Sequence, residues 1–129
     1  MIKYIANVRA IGAEVNEFLE HGILVLFGED APEELAEFAA IHDGTELLSP
    51  VVCGDIVWLD TASFRVTCVG EVANTNLETL GHLILKCNGA SVPEMPGDLC
   101  VERKPIPPLF VGMTIRIESE EEQSSGGKD

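Results

Sequence analysis

The feature that most constrains this chain is the recurrence of short apolar runs between turn signals. Residues 2–8, 22–27, 55–59, 64–69, 82–87, 99–102 and 113–118 form seven such runs, each four to eight residues long and most of them rich in Val or Ile. That length is short for a helix, and branched side chains favour a pleated backbone, so these segments read as strands. Thr114-Ile115-Arg116-Ile117 and Phe64-Arg65-Val66-Thr67-Cys68 alternate polar with apolar residues, as expected where one sheet face is buried and the other is wet. Only two segments read as helix. In residues 31–39, Asp30 stands as N-cap, Pro32 lies in the first turn and Glu33 takes the reciprocal capping position, with Leu35, Phe38 and Ala39 on one stripe. In residues 74–80, Leu77 and Leu80 are three apart and Gly81 is placed to end the helix. Pro93, Pro96, Pro105, Pro107 and Pro108 make 88–98 and 103–112 loops of fixed shape. Seven short strands with so little helix imply a mainly β fold: a small closed or nearly closed β-barrel with one or two short helices.

At 129 residues the chain is long enough for one ordinary domain to fold on its own core. Residues 1–117 are expected to be that barrel. Residues 118–129 carry no apolar side chain and cannot offset their ordering entropy, so they are expected to form a disordered acidic tail. The first residues lack an apolar segment behind a basic one, and no run approaches 18 uninterrupted apolar residues. A cytoplasmic protein without a spanning helix is the expectation.

Eight Lys and Arg against 22 Asp and Glu leave a net charge of -14. Lys and Arg therefore dominate no large surface, which disfavours a phosphate-reading nucleic-acid module or a polybasic membrane binder. The macromolecular partner should be basic. Charge is also uneven: between Ala10 and Phe64 there are twelve carboxylates, among them Glu29, Asp30, Asp43 and Asp55, and no Lys or Arg. Taken alone, such a block reads as a solvated face.

Cys53, Cys68, Cys87 and Cys100 show no C-x-x-C and no His at ligand spacing, so neither a metal nor another cofactor is expected. Cys68 and Cys87 lie within strand-like runs and read as buried reduced thiols. Phosphate-loop, nucleophile-elbow and H-E-x-x-H motifs are missing from the sequence, which leaves an imidazole as the candidate nucleophile. Of three histidines, His21 precedes Gly22 in a turn and reads as a surface imidazole. His42 follows Ile41 and precedes Asp43-Gly44, where a helix gives way to a turn, and a structural imidazole at the rim of a core fits it as well as a reactive one. His82 opens the 82–87 strand after Gly81; a hydrogen-bonded histidine is the plainer reading there, and 40 residues between His42 and His82 leave their mutual geometry free.

Three stretches resemble a known family. Residues 27–42 run Phe-Gly-Glu-Asp-Ala-Pro-Glu-Glu-Leu-Ala-Glu-Phe-Ala-Ala-Ile-His; residues 69–82 run Val-Gly-Glu-Val-Ala-Asn-Thr-Asn-Leu-Glu-Thr-Leu-Gly-His; and Ile11-Gly12-Ala13 and Pro96-Gly97 add weaker likeness. Together they resemble the glucitol/sorbitol-specific IIA component of the bacterial phosphoenolpyruvate-dependent sugar phosphotransferase system. The family has further Cys or His after the Ile-His pair, whereas Asp43-Gly44 follows here. The resemblance implies a phosphocarrier in which His42 accepts a phosphoryl group from phospho-HPr and passes it to the IIB cysteine of a IIB/IIC sugar transporter. His82 is then expected beside His42, hydrogen-bonding the phosphoryl oxygens or the attacking ring. A neutral imidazole needs no separate base, and phosphoryl transfer asks mainly for positioning and charge stabilisation. Two other readings use the same features differently: an acidic-faced binding or regulatory module descended from such a carrier, and a structural subunit.

Overall fold

Every run read as a strand pairs with a neighbour, and an eighth strand joins them. The structure, a computed structural model, describes residues 1–120. In chain order the elements are β1 (Ile2–Ile11), α1 (Val15–Leu19), β2 (Ile23–Gly28), α2 (Glu33–Ala36), β3 (Ala40–His42), β4 (Ile56–Leu59), β5 (Ala62–Val69), α3 (Ala73–Leu80), β6 (Leu83–Lys86), β7 (Asp98–Val101) and β8 (Thr114–Glu118). The strands close into a barrel in the order β1-β3-β2-β6-β7-β5-β4-β8, with β8 returning to β1. Closure leaves no sheet edge unpaired, which a chain with such short strands needs. The β2–β3 and β6–β7 pairs are parallel and the rest antiparallel.

The alternation read from β8 holds: Ile115 and Ile117 are buried while Thr114 and Arg116 are half-buried. In β5 it holds through Phe64, Val66 and Cys68, all buried, although the pairing with β7 shifts register between Val66 and Cys68. Cys68 consequently faces Cys100 across the β5–β7 pair, outside the main core cluster. All four cysteines are free; Cys53 is exposed and the other three are buried. Burial pushes the Cys87 thiol up to about 11, and burial with Cys68 alongside pushes Cys100 up to about 12.

Three corrections concern the helices. The segment read as helix over 31–39 shrinks to a single turn, Glu33–Ala36, with Pro32 at its N-cap position and no side-chain cap bond, so Asp30 does not cap it. Its expected end is drawn to the barrel instead: Glu14 donates to the Glu37 carbonyl and Gly12 to the Ala39 carbonyl, and the next residue, Ala40, pairs with both Ile11 and Leu26. Pairing on two sides outweighs the local preference of Leu-Ala-Glu-Phe-Ala-Ala for helix. A third helix, α1, adds to the one or two expected. The 74–80 helix forms as read, starting one residue earlier and ending where Gly81 adopts φ +66°.

Glu118 belongs to β8, the Ser119 amide donates to the Met1 carbonyl and the Glu120 carboxylate pairs with Arg65. The remainder of the expected tail, 121–129, lies outside the described residues. Among the described residues no helix is long and apolar enough to cross a membrane.

Candidate active site

His42 is the last residue of β3 and is held between two strands, opposite Val8 of β1 and Gly28 of β2. Only 1% of it is exposed. The ring's two nitrogens are both engaged: the Gly44 amide donates to Nδ1 at 3.0 Å, and Nε2 lies 2.8 Å from the Gly81 carbonyl. An amide can only donate, so Nδ1 holds the lone pair and Nε2 carries the proton given to Gly81. This fixes one neutral tautomer. Burial lowers the His42 pKa below its ordinary 6.5, opposed by the Gly81 carbonyl and by the charges of Asp43 and Glu29.

Gly81 is what lets this contact form. The left-handed turn that stops α3 aims the Gly81 carbonyl at the ring, and a Cβ there would meet His42 Cε1 and the Gly28 nitrogen at 2.9 Å each. Gly44 is equally constrained, since a Cβ on it would lie 2.7 Å from the phenol of Tyr4. Tyr4 in turn meets the His42 ring edge-on, with centroids 5.8 Å apart.

His42 lines a cleft of about 330 Å³ formed by residues 27–30, 42–45 and 77–81. Its walls hold Glu29, Asp30, Asp43 and Glu78. The acidic block therefore divides: three of its twelve carboxylates reach the cleft, while Asp55 is buried elsewhere against Lys3. Asp43 is fixed by the Asn7 amide at 2.7 Å. Arg9, which sits at a register shift in β1, lies 3.9 Å from both Glu29 and Asp43; it is 60% exposed, so these pairs contribute little to stability.

His82 is placed differently from His42. Its Nδ1 lies 3.2 Å from the Leu26 carbonyl and its ring stacks on Phe27 at 4.5 Å, half-buried just before β6. The His42 ring instead donates its Nε2 hydrogen bond to the carbonyl of Gly81, one residue earlier. His21 is exposed in the turn between α1 and β2. Among the described residues no group of three or more His, Cys, Asp or Glu is arranged to hold a metal ion. Sequence reasoning named Gly44 and Gly81 only as turn residues and did not assign them or Tyr4 to the site. Gly81 had a legible signal in its position after a helix, but its contact with His42 had none.

The cleft can present one neutral imidazole, in a defined tautomer, within a ring of carboxylates on a closed barrel. The family model for the PTS system glucitol/sorbitol-specific IIA component matches residues 3–116, and the chain belongs to that family. The PTS system glucitol/sorbitol-specific EIIA components of Shigella flexneri and of Escherichia coli (strain K12) are each 34% identical to it over 120 residues, 92% of this chain and 97% of the relative. The crystal structure of the PTS system IIA component from Enterococcus faecalis V583 shares the fold, with a TM-score of 0.73 at 24% identity over 86% of this chain and 96% of that one.

Proposed function

We propose that this protein is a phosphocarrier acting in the cytoplasm: His42 accepts a phosphoryl group from the phosphohistidine of HPr and hands it to the cysteine of a IIB component of a sugar transporter, with glucitol/sorbitol as the sugar. The observation that carries this reading is the tautomer-fixed, neutral His42 in an acidic cleft. The Nδ1 lone pair forms the new N–P bond as the donor's N–P bond breaks and its electron pair returns to the donor imidazole. The proton stays on Nε2, donated in a hydrogen bond to the Gly81 carbonyl, so the ring becomes a cation on phosphorylation at Nδ1 and a good leaving group for the next transfer. No proton must leave, and no base is required. Because His42 is buried and Gly44 now occupies the lone pair, loading requires the 43–45 turn to shift, which couples transfer to docking of the partner.

The carboxylates serve docking. Glu29, Asp30, Asp43 and Glu78 attract a basic partner surface over about one screening length, roughly 8 Å at physiological salt. Once the phosphoryl group is on His42 the same charges repel it, at about 0.5–2 kcal/mol for a unit pair near 8 Å, which favours passing it on. His82 is held by the Leu26 carbonyl and Phe27 and does not line the cleft, so we assign it no hydrogen bond to the phosphoryl group in this scheme.

The test is incubation with phosphoenolpyruvate, enzyme I and HPr, followed by intact-mass measurement. Wild type should gain one acid-labile phosphate and His42→Ala none. Labelling of His42→Ala at the wild-type rate would move the acceptor to another side chain. A wild-type chain that binds HPr but takes up no phosphate would instead be the acidic-faced binding module.

A further inference from the structure

We propose that the Tyr4 phenol is a further catalytic residue of this site, donating its O–H hydrogen bond to a phosphoryl oxygen carried on His42. The proposal rests on the phosphocarrier reading above. Tyr4 lies on β1 and is 3% exposed, yet its Oη is buried with no hydrogen-bond partner among the described residues. Buried tyrosine hydroxyls nearly always find a partner, so an orphan one calls for a physical account. Its surroundings supply that account. The Tyr4 ring is edge-on to His42 at 5.8 Å and 87°. Gly44, whose amide occupies His42 Nδ1, lies against the same phenol, close enough that a Cβ on it would sit 2.7 Å from Oη. The unpaired hydroxyl, the Gly44 amide and the ring nitrogen bearing the lone pair are thus neighbours.

When the N–P bond forms at Nδ1, the Gly44 amide loses its acceptor. The phosphoryl oxygens then offer acceptors to two donors at once, the amide and the phenol. Tyr4 exchanges no proton: its pKa is pushed up to about 12, first by burial and then by Asp43, so it remains an O–H donor across the working pH range. The hydroxyl is unsatisfied in the unloaded protein and satisfied in the loaded one. It therefore favours the charged state over the resting one, which is how a group accelerates loading rather than merely holding a shape.

Tyr4→Phe deletes a single oxygen. Single-turnover transfer from phospho-HPr should slow by about 10- to 200-fold, the range expected for losing a hydrogen bond to a charged group. The melting temperature should stay level or rise, because an unpaired buried hydroxyl has been removed. Transfer at the wild-type rate would show an orphan without a catalytic role and overturn the proposal. A second measurement needs no substitution: Tyr4 is the only tyrosine in the chain, so its ring ¹³Cζ resonance reports this phenol alone. The resonance should shift on phosphate uptake by wild type and stay fixed in His42→Ala; an unmoved resonance in fully phosphorylated wild type overturns the proposal. Failure of wild type to take up phosphate, or undiminished labelling of His42→Ala, overturns the phosphocarrier assignment first and the Tyr4 role with it.

Discussion

Strand β1 buries two polar side chains in succession, and the protein treats them in opposite ways. Lys3 is saturated: its ammonium meets Asp55 at 2.6 Å and the Pro50 carbonyl at 2.9 Å, while the same Asp55 oxygen accepts the Val52 amide at 2.8 Å. Tyr4, the next residue, leaves its hydroxyl unpaired beside His42 and the cleft. The first cluster clamps the 48–55 segment to the barrel, helped by the Leu48 amide on the Lys3 carbonyl. The second holds a ring in one tautomer and leaves a donor in reserve. An orphan atom does not mark a site by itself, since Asp98 Oδ1 is also buried and unpaired near Lys86. At Tyr4 the orphan adjoins a nucleophile and a cleft, and that coincidence gives it meaning.

Breaking the saturated cluster should have the largest effect on stability. Lys3→Met leaves the Asp55 carboxylate buried without its cation, and should cost about 3–5 kcal/mol, the range for a buried ion pair that loses one partner. Adding Asp55→Asn, which removes the stranded charge and keeps an acceptor for the Val52 amide, should recover part of that loss. Urea melts of the single and double variants measure both. Phosphate uptake per folded molecule should match wild type in each, because neither side chain lines the His42 cleft. A double variant no more stable than Lys3→Met would show that the pair's charge is not what holds the segment.

Why these two clusters differ in legibility is physical. The strands were readable because Val and Ile runs of four to eight residues have few other stable uses, and α3 was readable because Gly81 supplies its stop. β3 was not: Ala40-Ile41-His42 is too short to show a period, and it follows a convincing helix start at Asp30, Pro32 and Glu33. Only barrel closure reveals that β1 and β2 capture it. His42 could be singled out by its neighbours in sequence and by family likeness, but its buried state and hydrogen bonds depend on Gly44, Gly81 and Tyr4, which converge from three separate elements. Tyr4 in particular is one more apolar-facing position in a strand until the register of β1 against β3 is known. Lys3 and Asp55, 52 residues apart, are invisible as a pair for the same reason.

Salt should separate the clusters at an intermediate scale. The cleft carboxylates are exposed or half-buried, whereas Lys3 and Asp55 are shielded from ions. Raising salt from about 50 to 500 mM shortens the screening length about threefold and should slow second-order transfer from phospho-HPr several-fold. The stability difference between wild type and Lys3→Met should hardly change over the same range. A transfer rate indifferent to salt would reduce the acidic cleft wall to a solvated surface and remove its role in docking.

The smallest effect, and the most specific to His42, is on the pH dependence of stability. Its pKa in the folded protein is below the ordinary 6.5, chiefly because burial disfavours the charged ring. Between those two values the unfolded chain binds the proton and the folded one does not, so the unfolded state gains as pH falls. The stability that His42 contributes by staying neutral is therefore fully present above pH 6.5 and is lost as pH drops through the unfolded value toward the folded one. One proton of difference limits the slope to about 1.4 kcal/mol per pH unit. Wild type should lose stability more steeply than His42→Gln between pH 6.5 and 5, with parallel curves above 7, since the background carboxylates and the other histidines are common to both proteins. Equal slopes would mean that the ring titrates in the fold as it does in the unfolded chain, and the neutral nucleophile on which loading depends would not outlast mild acid.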